Sequence, residues 1–242
     1  METARQIPDH ASGGAVTRTT NARIAGATYL LYIGVAFPAM LLNSRSTAGS
    51  DVPAQLANLA NHASDLRTEL VLTLLGVFCA LILAVTLYGV TRDEDNELAM
   101  FGLVCRVGEG ILSAILLGTN GLLWLAIATG ADAPDATTAK AIGTLLLKVG
   151  SWQTASAATL FAVGSTAFCC LLLRGRMIPS LLAWIGVIGS AIVAIGVPLE
   201  LIHVLRAPLS ELMWIPVAVF EVSVAVWFLV KGVAPLRRRQ PA

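Results

Sequence analysis

Six apolar runs dominate the sequence, and each is long enough to cross a lipid bilayer. Crossing about 30 Å of hydrocarbon takes roughly 20 helical residues at about 1.5 Å each. These runs are apolar nearly all round, whereas a helix on a soluble core keeps one polar face. The pattern therefore predicts an all-α fold, a polytopic transmembrane helical bundle. The six spans are Ile24–Leu42, Leu70–Val90, Leu98–Ala128, Val149–Leu173, Leu181–Leu205 and Leu212–Val230.

The overall composition also indicates that lipid surrounds the chain. Hydrophobic residues make up 56% of the 242 residues and charged residues only 13%, against about a quarter charged in average soluble domains. The mean hydropathy is +0.77. Because the formal net charge is only +1, charge alone indicates neither a nucleic acid nor an acidic partner. The predicted partner is the lipid bilayer itself.

The basic residues predict how the bundle is oriented. Lys and Arg concentrate in the N-terminal arm, the second and fourth connections and the C-terminal tail. Under the positive-inside rule, this places both termini in the cytoplasm and the protein in the inner membrane of the cell. Ten basic residues lie on that side and five on the other: Arg5, Arg18, Arg23, Arg92, Arg174, Arg176, Lys231, Arg237, Arg238 and Arg239, against Arg45, Arg67, Lys140, Lys148 and Arg206.

The segments outside the spans predict no separate soluble domain. Residues 1–22 are polar and rich in Thr, Ala and Arg, which is typical of a disordered arm. Residues 23–232 form the membrane domain, and residues 233–242 form a basic cytoplasmic tail. Between the first two spans, a helical pattern after Ser50 or Asp51 predicts a short outer helix.

Small residues recur on one face of the fifth span. Gly186, Ser190 and Ala194 are spaced four apart, which favours close packing of that helix against a neighbour. The same role is expected of four further glycines: Gly26, Gly34, Gly118 and Gly121.

The third run, which contains GLVCRVGEGILSAILL at residues 102–117, has two charged residues at membrane depth. Arg106 lies about 12 Å and Glu109 about 16 Å from the inner end of the span, at about 1.5 Å per residue. A charge near the bilayer centre costs about 2.5–3.5 kcal/mol, so both side chains are expected to face the bundle interior. Their i, i+3 spacing puts them on one face, where an ion pair can form.

The sixth run adds Glu221, about midway between Trp214 and Trp227. With Arg106 and Glu109 it makes a candidate catalytic cluster of two carboxylates and one guanidinium. If the three converge, the uneven charge leaves a protonatable acid within the membrane. Two interpretations stay open. Either Arg106 bridges the two glutamates to fix helix packing, or the cluster binds or moves a proton, an ion or a lipophilic substrate.

Other polar residues gather near the outer surface. Carboxylates and imidazoles on helices can bind a divalent metal. Their number and spacing match no metal motif, however, so a solvated helix end is the favoured interpretation. The secondary candidates are Glu69, Gln153, Glu200 and His203, with His62, Asp65 and Glu211 beside them.

The motifs predict no cofactor. The spans contain no Asp-rich diphosphate motif, Ser/His/Asp order, Gly-rich phosphate loop or heme-type His pair. The four cysteines all lie within spans and are expected to be small core residues rather than a disulfide framework. They are Cys79, Cys105, Cys169 and Cys170.

Four segments in this order carry a resemblance to a known family. They are RIAGATYLLY, LYGVTRDEDNELAMFGLVCRVGEGIL, RGRMIPSLLAWIGVIG and FEVSVAVWFLVKG. Over nearly the whole chain after the N-terminal arm, the sequence resembles a bacterial family of six-span membrane proteins catalogued as a domain of unknown function. The resemblance implies a membrane bundle and includes the R-x-x-E pair of Arg106 and Glu109. It implies no activity.

Two classes of function remain open from the sequence. One is a non-enzymatic membrane protein that binds or transports a small or lipophilic molecule, for which a homodimer is expected because six spans make a small unit. The other is a membrane-embedded enzyme that acts on an isoprenoid or terpene-like substrate. In that enzyme, a neutral Glu in an apolar cavity would protonate the substrate as a general acid.

Overall fold

The computed structural model describes residues 10–126 and 135–234 of the chain. Over these two ranges the protein forms eight α-helices and no strand, which confirms the predicted all-α fold. The helices are α1 (His10–Ser46), α2 (Val52–Asn61), α3 (Ala63–Thr91), α4 (Asn96–Ala126), α5 (Ala136–Arg174), α6 (Ser180–Leu201), α7 (Leu209–Leu212) and α8 (Ile215–Val230).

Six helical segments are long and apolar enough to cross a membrane, which confirms the predicted number of spans. Their most apolar windows have mean hydropathies from 1.7 to 2.8. Large apolar side chains cover the outside of the bundle, where Val71, Leu145 and Leu181 are 60%, 62% and 76% exposed. An apolar exterior of this extent is stable only against lipid. The chain is therefore a multi-pass membrane protein.

Two aspartates begin helices at the end of the bundle away from the chain termini. Asp51 accepts a hydrogen bond from the Ala54 N–H at 2.9 Å and caps α2, the short helix that the sequence predicts after the first span. Asp135 caps α5 by accepting from the N–H groups of Thr137 and Thr138, each at 3.0 Å. Hydrogen bonds from the Thr138 hydroxyl and from these backbone groups lower the pKa of Asp135. Each cap satisfies helix donors that would otherwise lack partners.

The spanning helices form a closed ring in chain order. α1 packs against α3, α3 against α4, α4 against α5, α5 against α6, and α6 against α8, while α8 returns to α1. We call the end with turns 92–95 and 175–179 the proximal end, and the end with α2 and α7 the distal end. The largest core, with Leu83, Phe168 and Phe228 fully buried, fills the proximal half of the ring. Space for a ligand is therefore found nearer the distal half.

Glycine allows close helix contacts at some of the predicted positions and not at others. A Cβ atom on Gly186 would lie 2.6 Å from Cε2 of Phe220, and one on Gly26 would lie 2.7 Å from the carbonyl oxygen of Ala225. Close packing is thus confirmed where α6 and α1 each meet α8. The prediction is wrong for three glycines whose Cβ would meet no atom of the described residues within 4 Å: Gly34, Gly118 and Gly121.

The N-terminal segment also differs from its prediction. α1 begins at His10, so residues 10–22 are helical where their composition predicts a disordered arm. Contacts with the bundle explain part of this helix. Arg18 donates from Nε to the carbonyl oxygen of Val90 at 3.1 Å, and Ala22 is fully buried in the core. Residues 1–9 and the predicted basic tail after residue 234 lie outside the described residues.

Candidate functional site

The site is built around an ion pair inside α4. Nη1 of Arg106 lies 2.9 Å from Oε2 of Glu109, which confirms the pair expected from the i, i+3 spacing. Arg106 is 0% exposed and Glu109 only 4% exposed, so the bundle interior holds both charges. The chain allows this burial partly because α5 approaches closely at Gly164, where a Cβ would lie 3.0 Å from Cγ of Arg106. A larger residue at Gly164 would push against the arginine stem.

Two aromatic residues complete the surroundings of the pair. The Tyr32 hydroxyl on α1 donates a hydrogen bond to Oε1 of Glu109 at 3.0 Å. On α5, the ring centroid of Phe161 lies 4.7 Å from Cζ of Arg106, within the range of a cation–π interaction. The sequence reasoning missed both residues. Tyr32 could have been found as a hydroxyl within an apolar run that needs a partner, whereas nothing distinguishes Phe161 from other core residues.

Arg106 makes fewer hydrogen bonds than a buried guanidinium requires. Its Nε, Nη1 and Nη2 atoms have no hydrogen-bond acceptor among the described residues, although Nη1 is at ion-pair distance from Glu109. Oε2 of Glu109 likewise accepts no hydrogen bond. A buried donor or acceptor without a partner costs about 1–3 kcal/mol. The pair therefore retains hydrogen-bonding capacity that residues 10–126 and 135–234 do not satisfy.

Glu221 on α8 contributes the second carboxylate of the cluster. It is 8% exposed and lines the same cavity as Glu109. No hydrogen bond or ion pair joins Glu221 to another part of the described chain, and no nitrogen of Arg106 lies within 4.0 Å of its oxygens. The packing-clamp interpretation expects Arg106 to bridge the two glutamates. In the structure, Arg106 pairs with Glu109 and does not directly contact Glu221.

The cavity lies between α1, α4, α5 and α8 and has a volume of about 320 Å³. Its wall is mostly apolar, with a few polar groups that converge on the same space, as is usual for small-molecule sites. Its carboxylates come from Glu109 and Glu221, and none of its wall residues is basic. The other polar side chains of the wall are Tyr32, Ser113, Gln153, Thr154 and Trp214.

The secondary candidates divide between the interior and the surface. Gln153 lines the cavity, where its Oε1 accepts a hydrogen bond from the Thr119 hydroxyl at 2.9 Å. Glu69 is 6% exposed and lies apart from the cavity wall, with the Asn120 side-chain amide 3.4 Å from its Oε1. Glu200 and His203 are exposed at the distal end of α6, as a solvated helix end requires.

Metal-ligating residues do not cluster in the part of the chain that the structure describes. It contains no group of three or more His, Cys, Asp or Glu residues able to hold an ion. The cysteines are free thiols, and three of them are buried in the positions expected of small core residues: Cys79, Cys105 and Cys169.

Comparison with known proteins identifies the family. No curated protein and no solved structure matches the chain. A family model described as "Domain of unknown function (DUF4386)" matches residues 24–232, which include most of the first span, the other five spans and the whole charged cluster. The chain therefore belongs to this family of unknown function.

Proposed function

We propose that the bundle binds, and moves within or across the membrane, a small lipophilic molecule in the cavity between α1, α4, α5 and α8. The observation that carries the proposal is the cavity itself, whose apolar wall presents the carboxylates of Glu109 and Glu221 at membrane depth. Ionisable residues inside a membrane are costly and usually mark a pathway or a binding site. An apolar body would fill the cavity, and a polar group of the molecule would lie beside the carboxylates.

A route from the lipid supports a lipophilic ligand. Ala36 on α1 and Ala218 on α8 line the cavity, and both have exposed surface. The same two helices make their close contact nearer the proximal end, at Gly26 and Ala225. Beyond that contact, towards the distal end, we infer that a molecule dissolved in the bilayer enters between α1 and α8, where small side chains line the cavity.

The direct test of binding is mass spectrometry of small molecules that copurify with the protein. We expect a lipophilic species with the wild type that is lost from Glu109→Gln and Glu221→Gln. Glu97→Gln is the matched control, because Glu97 is exposed at the start of α4 and outside the cavity. Equal recovery from all four proteins would reject the cavity as the binding site.

Transport is tested by reconstitution into liposomes. If the carboxylates couple substrate movement to protons, an imposed proton gradient should drive uptake by the wild type. Uptake should fall at least about tenfold in each glutamine variant, because loss of a required charge costs about 1.4 kcal/mol or more. Unchanged uptake in both variants would rule out coupling through these residues.

A second candidate is an intramembrane enzyme, and the state of Glu221 favours it. Glu221 lines the cavity and has no ion-pair partner among the described residues, and the rings of Phe161 and Trp214, whose centroids are 6.3 Å apart, line the same cavity. A protonated Glu221 could act as a general acid on an alkene or epoxide, and the rings could stabilise the resulting cation. Incubation of the purified protein with isoprenoid alkenes tests this reaction. A product that forms equally with Glu221→Gln would exclude the role.

We propose that the protein lies in the cytoplasmic membrane of a bacterium, with both termini in the cytoplasm. The support is the excess of Lys and Arg at the proximal end. With this orientation, the cavity lies in the outer half of the bilayer. Ligand would then enter from, or leave to, the outer leaflet.

A further inference from the structure

The charges that face the cavity are unbalanced. Arg106 and Glu109 neutralise each other across 2.9 Å, and Tyr32 adds a hydrogen bond to the same carboxylate. Glu221 has no such partner among the described residues, although it is more than nine-tenths buried. A buried carboxylate is stable only when another charge or hydrogen-bond donors compensate it. The ionised cluster therefore has one negative charge in excess, located at the cavity wall.

The positive member of the cluster lies behind the wall rather than in it. Arg106 is 0% exposed and is not among the residues that line the cavity. The guanidinium of Arg106 lies over one face of the Phe161 ring, and Phe161, unlike Arg106, lines the cavity. A molecule in the cavity thus meets carboxylate oxygens directly and no basic side chain. This arrangement disfavours a carboxylate or phosphate ligand, which would meet like charge.

The rest of the wall fits an organic cation better than a metal ion. Apolar side chains surround the carboxylates, so hydrated inorganic cations would lose water without gaining enough oxygen ligands. Trp214 lines the distal part of the cavity and offers an indole ring, the side chain that binds cations most strongly through its face. Apolar surface and an aromatic face are the usual surroundings of bound ammonium groups.

We propose that the cavity selects a monovalent organic cation, an amine or quaternary ammonium compound with a small apolar body, whose charge lies beside Glu221. This inference rests on the proposed function, because it names the ligand class of the same cavity. The cation supplies the charge that Glu221 lacks, and its apolar body fills the space between α1 and α8. The excess charge of the cluster, rather than Glu221 alone, sets the preference.

A pair of probes of equal shape tests the proposal. Benzyltrimethylammonium has a permanent positive charge, and neopentylbenzene has the same shape with carbon in place of nitrogen. Binding is measured by equilibrium dialysis against phosphatidylcholine nanodiscs that contain the protein, with empty nanodiscs as the partition background. We expect wild type to bind the cation at least about tenfold more tightly, the lower end of what a close desolvated charge pair contributes.

Variants of the glutamates test whether the preference for the cationic probe depends on charge. Glu221→Gln should lose about tenfold or more in affinity for the cation while its affinity for neopentylbenzene changes less than about threefold. Glu221→Asp keeps the charge and should keep the preference. Glu109→Gln should also weaken this preference, because the positive charge of Arg106 is then unpaired and offsets part of the negative charge of Glu221 from a distance. Exposed Glu97→Gln should behave as wild type.

The outcomes separate this inference from the proposed function. If wild type binds both probes with equal affinity, or binds the neutral one better, the cation preference is wrong while the lipophilic cavity stands. If wild type binds neither probe above the empty nanodiscs, both proposals fail. The comparison of the two probes on wild type needs no variant, so a misfolded Glu221→Gln does not leave the question open.

Discussion

Removal of one partner of the buried ion pair should cost far more than removal of both. Arg106→Met leaves Glu109 with one hydrogen bond, from Tyr32, in a site that is 4% exposed. Glu109→Gln leaves the fully buried guanidinium with no carboxylate at ion-pair distance. Each change leaves an uncompensated buried charge, which costs about 3–5 kcal/mol, whereas replacing both members of such a pair is often nearly neutral. The double variant should therefore be more stable than either single variant.

The assay is equilibrium unfolding by sodium dodecyl sulfate in phosphatidylcholine micelles or bicelles, which gives the free energy of unfolding of each variant. We expect the double-variant cycle to deviate from additivity by more than about 3 kcal/mol. The control is the exposed pair of Arg174 and Asp95, which are 3.1 Å apart with side chains 47% and 32% exposed. Its cycle should give about 0–1 kcal/mol. Additive losses at Arg106 and Glu109 would refute the view that the two residues act as one buried unit.

Three further predictions concern packing, a helix cap and orientation. Gly186→Ala should lower the free energy of unfolding by about 1–3 kcal/mol, because the added Cβ would clash with Phe220. The control is Gly34→Ala, whose Cβ would lie in open space and should change the free energy of unfolding by less than about 0.5 kcal/mol in the same assay. The hydrogen bond from the Leu98 N–H is the main cause of the lowered pKa of Asp95. The stabilisation by ionised Asp95 is present above the pKa that Asp95 has in the unfolded chain, and it is lost as the pH falls through the lower pKa of the folded state. The melting temperature of Asp95→Ala should therefore lie below that of the wild type at pH 7, and the difference should narrow below about pH 4. With a cytoplasmic C-terminus, a fused green fluorescent protein should fluoresce and a fused alkaline phosphatase should be inactive, and the reverse pattern would overturn the orientation.

Run length and helix periodicity predicted those parts of the fold and site that lie within a single helix. The six spans follow from run length, and the pair of Arg106 and Glu109 follows from helix periodicity alone. The contributions of Tyr32 and Phe161 depend on how α1 and α5 pack against α4, and periodicity contains no information about which helices become neighbours. The same limit explains Gly34. The residue type favours close approach, but only the packed structure shows that no described atom lies within 4 Å of a Cβ at this position.

The arrangement of charges indicates function because it is poor as a packing device. A clamp that only fixes helix positions would gain most if Arg106 met both carboxylates and satisfied all its donors, since a partly satisfied polar network is worse than an apolar core. Instead, within the part of the chain that the structure describes, the guanidinium keeps unpaired donors and Glu221 lines the cavity without an ion-pair partner. Replacing these residues with apolar ones of similar volume is expected to be neutral or stabilising for the fold. A charge that is buried beside an apolar cavity, and that has no ion-pair partner among the described residues, therefore fits the proposed ligand better than a role in stability alone.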